Sequence, residues 1–321
     1  MRHSRVVPHL GRRRLEGLLV AATLSACGRG APATVATPAP QGSARTVPAT
    51  STAPVRAKHM LFRVHGRNGS TVYLLGSVHL LSPEESKLPA EVDSAFTHAR
   101  TIAFETSLDS VQKRAPELLA LARYPAGTTL QSSLSPAGLA RADSLLKLYG
   151  IPLAQVSLFK PWFVSLLMSQ VVMQRAHFQA QYGVDMQINA WAHRDGKPTI
   201  GLEPVDFQIH LFDRIPPADQ EKMITTSSGP DSSAHMLTAI KDAWVSGNVS
   251  MLDSLLNRAT DPSPTFFKMM VADRNRSWIP KIEELLNAKG DALVVVGAAH
   301  LVGKQGLVAL LEAKGYSVEQ M

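Results

Sequence analysis

The chain has 321 residues, a formal net charge of +7 and a single cysteine, Cys27. With that cysteine ahead of everything that reads as folded, disulfides, cysteine nucleophiles and cysteine-ligated zinc are excluded from the folded part. The charge is uneven: residues 1–26 hold five basic residues and one acidic, residues 27–58 hold four basic and none acidic, and the remainder holds 24 basic against 25 acidic, so the basic balance does not point to nucleic acid.

Residues 1–26 read as an export signal. Arg12, Arg13 and Arg14 precede an apolar run from Leu18 to Leu24 that is too short to span a bilayer as a mature helix. The run ends in Leu24-Ser25-Ala26-Cys27, which resembles the lipobox of bacterial lipoprotein precursors, so Cys27 is the expected lipidation site and mature N-terminus. The alternative is an ordinary cleaved signal peptide. The lipobox reading gives an exported, membrane-anchored lipoprotein facing the periplasm or the cell surface, whose membrane partner is reached through the lipid. Residues 27–58 are rich in Ala, Pro and Thr and too poor in large apolar side chains to order themselves; they form a basic tether beside an anionic leaflet. One α/β domain is expected over residues 59–321.

In that domain, Thr71 to Leu75 is a β-branched and aromatic run that stops at Gly76, and Thr101 to Phe104 is another that stops at Glu105. Between them, Leu88, Val92, Ala95, Phe96 and Ala99 have helical spacing within residues 83–99. A helix-rich middle follows over 109–193, with starts at Ser135-Pro136 and Asp185. Its apolar stretch from Trp162 to Met173 has the length of a buried core helix, not of a membrane span. Gly196-Lys197-Pro198 turns into a third strand, Thr199 to Leu202, that stops at Glu203. Residues 206–286 are again mainly helical, with a polar loop over 225–233 and a break at Asp261-Pro262-Ser263-Pro264. Asp291 to Val296 is a continuous apolar strand suited to the middle of a parallel sheet, and residues 305–314 are its following helix. The pattern predicts an α/β fold: a central, mostly parallel sheet built from two similar halves, with helical insertions. Ligands of such sheets collect beyond the carboxyl ends of the strands, where Gly76, Glu105, Glu203 and Gly297 all fall.

Two of those strand ends match each other. Leu74-Leu75-Gly76-Ser77-Val78-His79-Leu80 aligns with Val295-Val296-Gly297-Ala298-Ala299-His300-Leu301 in residue class at every position. Glycine lets the backbone turn sharply out of the sheet, and the three-residue step throws an imidazole back over the strand end. Two imidazoles converging on one point suit a divalent metal or general-base chemistry. A lone histidine after a buried strand is more often simply hydrogen-bonded, but a second motif and the strand-end carboxylate Glu105 favour a site. Glu105 follows an apolar strand, where an unpaired carboxylate is costly, so it must meet a cation, a metal or a hydrogen-bond donor.

These residues resemble the TraB/PrgY/GumN family, which includes the Tiki metalloproteases of animals. The marks are Gly76-Ser-Val-His79, Glu105 in Ala-Phe-Glu-Thr, Tyr182-Gly-Val-Asp185, Gly196-Lys-Pro to Leu202-Glu203, Arg274-Asn275 and Gly297-Ala-Ala-His300, in family order over nearly all of residues 60–321. The resemblance implies an α/β core with a helical insertion. In the Tiki branch it implies a Mn²⁺- or Co²⁺-dependent peptidase whose ligands, carried over, are His79, His300 and Glu105, with Arg274 and Asn275 lining the site; Zn²⁺ is a further candidate. After Glu203 this chain reads Pro204-Val205-Asp206, where many relatives have a threonine, so a helix-capping or salt-bridged Glu203 is as good a reading as a site role. Arg274 beside Asp273 also reads as a surface arginine, and Asp185 first as a helix N-cap.

Three functions follow. In the first, His79 and His300 ligate a metal, Glu105 is the third ligand or the general base, and metal-bound water attacks the carbonyl of a peptide or small-molecule substrate while Arg274 and Asn275 stabilise the oxyanion or hold a substrate carboxylate. In the second, the same site sequesters a peptide or small ligand without turnover, as the link of some bacterial relatives to the blocking of signalling peptides implies. In the third, a histidine and Glu105 activate water without metal. The chain has no Gly-x-Ser-x-Gly, phosphate loop, dinucleotide fingerprint or His-Glu-x-x-His, which demotes serine hydrolase, NTPase, dehydrogenase and zincin readings.

Overall fold

A computed structural model describes residues 58–260 and 264–321. Six strands, β1 (Leu61–His65), β2 (Thr71–Ser77), β3 (Thr101–Phe104), β4 (Thr199–Gly201), β5 (Ala292–Gly297) and β6 (Val318–Gln320), form one sheet in the order β4-β3-β5-β2-β1-β6. β5 lies between β2 and β3, parallel to both, and every residue of it is buried, which is why its sequence is an unbroken apolar run. β4 continues the parallel set beyond β3. On the other side β1 is antiparallel to β2, and β6 to β1.

The expected mostly parallel α/β sheet is therefore present, and its two motif strands are neighbours. In their register Gly76 stands opposite Val296 and Ser77 opposite Gly297, so the two motif glycines are staggered by one residue. Because β2, β3, β4 and β5 all run the same way, their carboxyl ends lie along one edge of the sheet. Backbone bonds from Leu202 to Phe104 (2.8 Å) and from Glu203 to Glu105 (2.9 Å) carry the β3–β4 pairing past the strand ends and put the two glutamates side by side.

Most of the helices come from two long connections, β3 to β4 and β4 to β5; Ala90–His98 lies between β2 and β3, and Leu307–Ala313 between β5 and β6. The stretch expected as a core helix is the helix Pro161–Arg175, with Trp162, Phe163, Val164, Leu166 and Met168 all buried. Trp162 stacks on Phe212 at 5.5 Å between ring centroids, joining the two connections away from the sheet. Among the described residues no helix is long and apolar enough to cross a membrane.

Several boundaries differ from expectation. Residues 83–99 do not form one helix: Pro83–Glu85 is a separate 3₁₀ turn, and the helix Ala90–His98 starts after Pro89. Proline at that boundary has no N–H to continue a preceding turn. The polar loop expected over 225–233 shrinks to the few residues between the helices Pro217–Thr225 and Pro230–Val245, because Pro230 supplies a preset first turn. Asp185 is not the N-cap of its helix, which spans Val184–Asp195 with Gly183 at the cap; its carboxylate is engaged elsewhere. The export signal, Cys27 and the tether, as well as positions 261–263 of the expected break, lie outside the described residues.

Candidate functional site

The edge where β2, β3, β4 and β5 end gathers His79, His300, Glu105, Glu203, Arg274, Asn275 and Asp185, all buried. The motif glycines serve the site through space rather than through turning. Gly297 has φ −51°, and Gly76 is not among the glycines of positive φ, so any residue could adopt either backbone. A Cβ on Gly76 would instead stand 3.2 Å from the Cα of Ala298, where the two strand exits touch. A Cβ on Gly297 would lie 3.3 Å from Glu105 Oε1, 3.4 Å from His79 Nε2 and 3.7 Å from His300 Cδ2. That one point is where the carboxylate and the two imidazoles converge.

His79 is aimed by Asp185. The imidazole Nδ1 lies 2.7 Å from Asp185 Oδ2, and Ser77 Oγ donates to Asp185 Oδ1 at 2.9 Å. The start of the helix Val184–Asp195 is fastened to the same stretch: Val184 N–H donates to the Val78 carbonyl at 3.0 Å, and Gly183 packs so closely that a Cβ there would come within 2.2 Å of the His79 carbonyl oxygen. A carboxylate on Nδ1 fixes the proton there and leaves the Nε2 lone pair facing the convergence point. His79 Nε2 is buried and has no hydrogen-bond partner among the described residues. A buried nitrogen with no protein partner is costly, so it calls for a water, a ligand or a reacting group.

His300 is held differently. It closes the 3₁₀ turn Ala298–His300, and its Nδ1 lies 2.6 Å from Asn275 Oδ1. The Asn275 amide cannot flip, because its Nδ2 donates to the carbonyls of His300 (3.2 Å) and Gln305 (2.7 Å). His300 therefore carries its proton on Nδ1, and its Nε2 accepts from Arg274 Nη1 at 3.2 Å. The ring also packs on Trp278, at 4.5 Å between centroids.

Arg274 is the hub. It donates through Nη2 to Glu105 Oε2 (2.5 Å) and Glu203 Oε1 (2.7 Å), through Nε to both Glu203 oxygens, and through Nη1 to the Met270 carbonyl (2.9 Å) as well as to His300. Met270 lies in a π-helical turn, Lys268–Ala272, that leads directly into the helix Asp273–Asn287 carrying Arg274, Asn275 and Trp278. Trp278 Nε1 donates to Glu203 Oε2 at 3.0 Å, and the guanidinium lies 4.7 Å above the Trp278 ring centroid. Glu105 accepts at Oε1 from the Gly297 N–H (2.8 Å) and at Oε2 also from Gln208 (3.3 Å).

The charges follow from these partners. Burial pulls the Glu105 carboxyl upward, but Arg274 above all, then His300, His79 and the Gly297 N–H, outweigh it and hold it well below the usual carboxylate range. Burial pulls His79 down, yet the charge and hydrogen bond of Asp185, with help from Glu105, leave its pKa raised. For His300 burial wins: with Arg274 and His79 adding to it and only Glu105 opposing, its pKa falls to about 3. Glu203 is raised, by burial first and by neighbouring Glu105.

Arg274 and Asn275 differ from expectation in one respect. All five N–H bonds of the guanidinium and both of the Asn275 amide are committed to protein acceptors, so neither residue presents a free donor to a substrate oxyanion or carboxylate. The metal implied by the resemblance meets a related obstacle. His79 Nε2 and Glu105 Oε1 are ligand-type atoms facing one point, but Glu105 Oε2 and His300 Nε2 are both turned to the guanidinium. Among the described residues no three His, Cys, Asp or Glu side chains stand so as to hold a metal ion. As arranged, the residues do not fit a divalent cation.

Ser77, Gln208 and Trp278 complete the site without having been expected there. Ser77 lies inside the first motif and was legible as its serine; the other two are ordinary polar and aromatic residues of helices, with no local signal.

The TraB/PrgY/gumN family model matches residues 60–320 of the chain. Among curated proteins the chain is similar to the "Uncharacterized protein YbaP" of Escherichia coli (strain K12) and to the protein of the same description from Shigella flexneri. Each is 23% identical over 239 residues, covering 74% of this chain and 87% of the relative. No solved structure matches the chain significantly.

Proposed function

Since the chain belongs to the TraB/PrgY/gumN family, we propose that it is a hydrolase of peptide or related carbonyl substrates, with His79 as general base, acting outside the cytoplasm. The observation that carries the reading is the buried, unpartnered Nε2 of His79, with Nδ1 held by Asp185. In the hydrolytic step a water oxygen attacks the substrate carbonyl carbon while His79 Nε2 takes one water proton. The proton then passes to the leaving amine or alcohol as the carbon–nitrogen or carbon–oxygen bond breaks. Asp185 stabilises the imidazolium formed in between, the part played by the acid of a hydrolytic triad. Glu105, beside the same point, adds to the basicity of His79, and Arg274 keeps Glu105 ionised. Ser77 positions Asp185, and Asn275 positions His300.

The test is a panel of peptide and ester substrates assayed with the purified chain, with and without chelator, beside His79→Gln. Hydrolysis that survives chelation and is lost in the variant supports the reading. Absence of hydrolysis in every arm, with tight binding of a panel member, would replace it with the sequestering reading, which the full commitment of Arg274 and Asn275 donors favours. The lipid anchor is part of the same proposal: the Leu24-Ser-Ala-Cys27 sequence supports it, and palmitate labelling lost in Cys27→Ser checks it.

A further inference from the structure

The disagreement between the implied metal and the residues present has a definite source. The guanidinium of Arg274, 1% exposed, occupies the electrostatic position that a divalent ion would take: it touches Glu105, Glu203 and His300 Nε2 and is backed by the Trp278 ring. Two carboxylates and the hydrogen-bonded His300 surround one permanent cation, so an ion added to the same shell meets like charge at contact distance and finds two of its donors already bonded. The guanidinium is held in place on two sides, with Nη1 fastened to the Met270 carbonyl one turn back and Nε to Glu203 beyond the end of β4.

We infer that Arg274 is the built-in cation of this site, that it excludes divalent metal from the two-histidine centre, and that its neutral replacement turns that centre into a metal-binding one. Removing the guanidinium leaves Glu105 and Glu203 uncompensated beside two imidazoles with free Nε2 atoms. That is a nitrogen and oxygen donor set suited to Mn²⁺, Co²⁺ or Zn²⁺. The two acceptors, Asp185 on His79 and Asn275 on His300, already fix both rings with Nδ1 protonated, the orientation that histidine ligands need. The inference concerns binding alone and stands whether or not the site turns over a substrate.

The experiment is Co²⁺ titration of the full chain followed by visible d–d absorption, with metal content after dialysis, for wild type, Arg274→Gln, Arg274→Lys and the double variant Arg274→Gln/His79→Ala. The expected result is no saturable band in wild type or Arg274→Lys, one Co²⁺ per chain in Arg274→Gln, and its loss in the double variant. Arg274→Gln should also show a thermal midpoint that rises with Co²⁺, whereas the wild-type midpoint should not move. Stoichiometric Co²⁺ in wild type, removed by His79→Ala, would overturn the inference directly, and that measurement needs no Arg274 variant to fold. A folded Arg274→Gln that binds no more metal than wild type would overturn it as well.

Discussion

The ends of β2 and β5 carry the same seven-residue pattern, and the fold puts them to opposite uses. At the end of β2 the histidine meets a carboxylate, its pKa is raised and its outer nitrogen is unpartnered; at the end of β5 the histidine meets an amide, its pKa falls to about 3 and its outer nitrogen is bonded to Arg274. The strands deliver both rings to one point, but their surroundings leave one with a raised pKa and an unpartnered nitrogen and hold the other neutral. A sequence repeat thus fixes position without fixing role.

The sharpest way to break the comparison is to remove one ring at a time. His79→Asn, whose side-chain amide can replace Nδ1–H toward Asp185, should lower turnover about 10²–10⁴-fold with little change in stability, because Nε2 makes no bond that folding needs. His300→Gln should do the reverse, destabilising the protein by about 2–3 kcal/mol in urea denaturation through loss of the buried contacts with Asn275, Arg274 and Trp278. Equal losses of activity and stability from both changes would erase the asymmetry.

The partners can be exchanged next. Asp185→Asn makes the β2 end resemble the β5 end and should cost about 10²–10⁴-fold in turnover, with the pH–rate profile shifted toward lower pH as His79 loses the charge that raised its pKa. The acid side of the stability curve tests the other ring. A buried histidine whose pKa is depressed to about 3 binds fewer protons than its unfolded counterpart, so its contribution is complete above the unfolded pKa and is lost as pH falls from about 6.5 toward 3. The expected slope from this group is about 1.4 kcal/mol per pH unit across that window. Glu105, depressed in its turn, adds a loss that begins only below the ordinary carboxylate pKa. Asn275→Asp gives His300 a carboxylate partner and should flatten the slope between pH 6 and 4. An unchanged slope would show that burial alone sets the behaviour of His300. The smallest effect is that of Ser77→Ala, about 1 kcal/mol of stability and a severalfold loss of turnover, since it removes one of the bonds that hold Asp185.

The strand ends were legible because buried parallel strands are apolar runs that stop where the polar residue begins. Leu75 before Gly76, Phe104 before Glu105 and Val296 before Gly297 show the change in sequence, and Glu203 two residues after Gly201 behaves alike. The antiparallel strands β1 and β6 were not foreseen. β1 has only five residues and opens on two adjacent apolar ones, and β6 has three residues whose strand character comes from pairing with Phe62, Arg63 and Val64. The unlike roles of the two histidines were illegible for the same kind of reason. Asp185 lies 106 residues from His79, Asn275 lies 25 from His300, and Arg274 lies 169 from Glu105. Nothing local distinguishes a helix-starting aspartate from one turned inward, or a surface arginine beside Asp273 from a fully buried one.

The π-helical turn Lys268–Ala272 governs the angular phase of that arginine. A turn of this kind holds one residue more than an α-helical turn, so the segments before and after it are out of phase by about 100° compared with a continuous α-helix. Deleting a single residue, Met269, would restore the continuous pitch. With the helix Asp273–Asn287 anchored by Trp278 and Ile282 in the core, the rotation would fall on Lys268 and the apolar residues before it, while Met270 and Arg274, both on the anchored side, keep their spacing and the bond between them. A one-residue deletion at this turn should therefore cost the packing of Phe266 in the helical insertion while leaving the arginine in place.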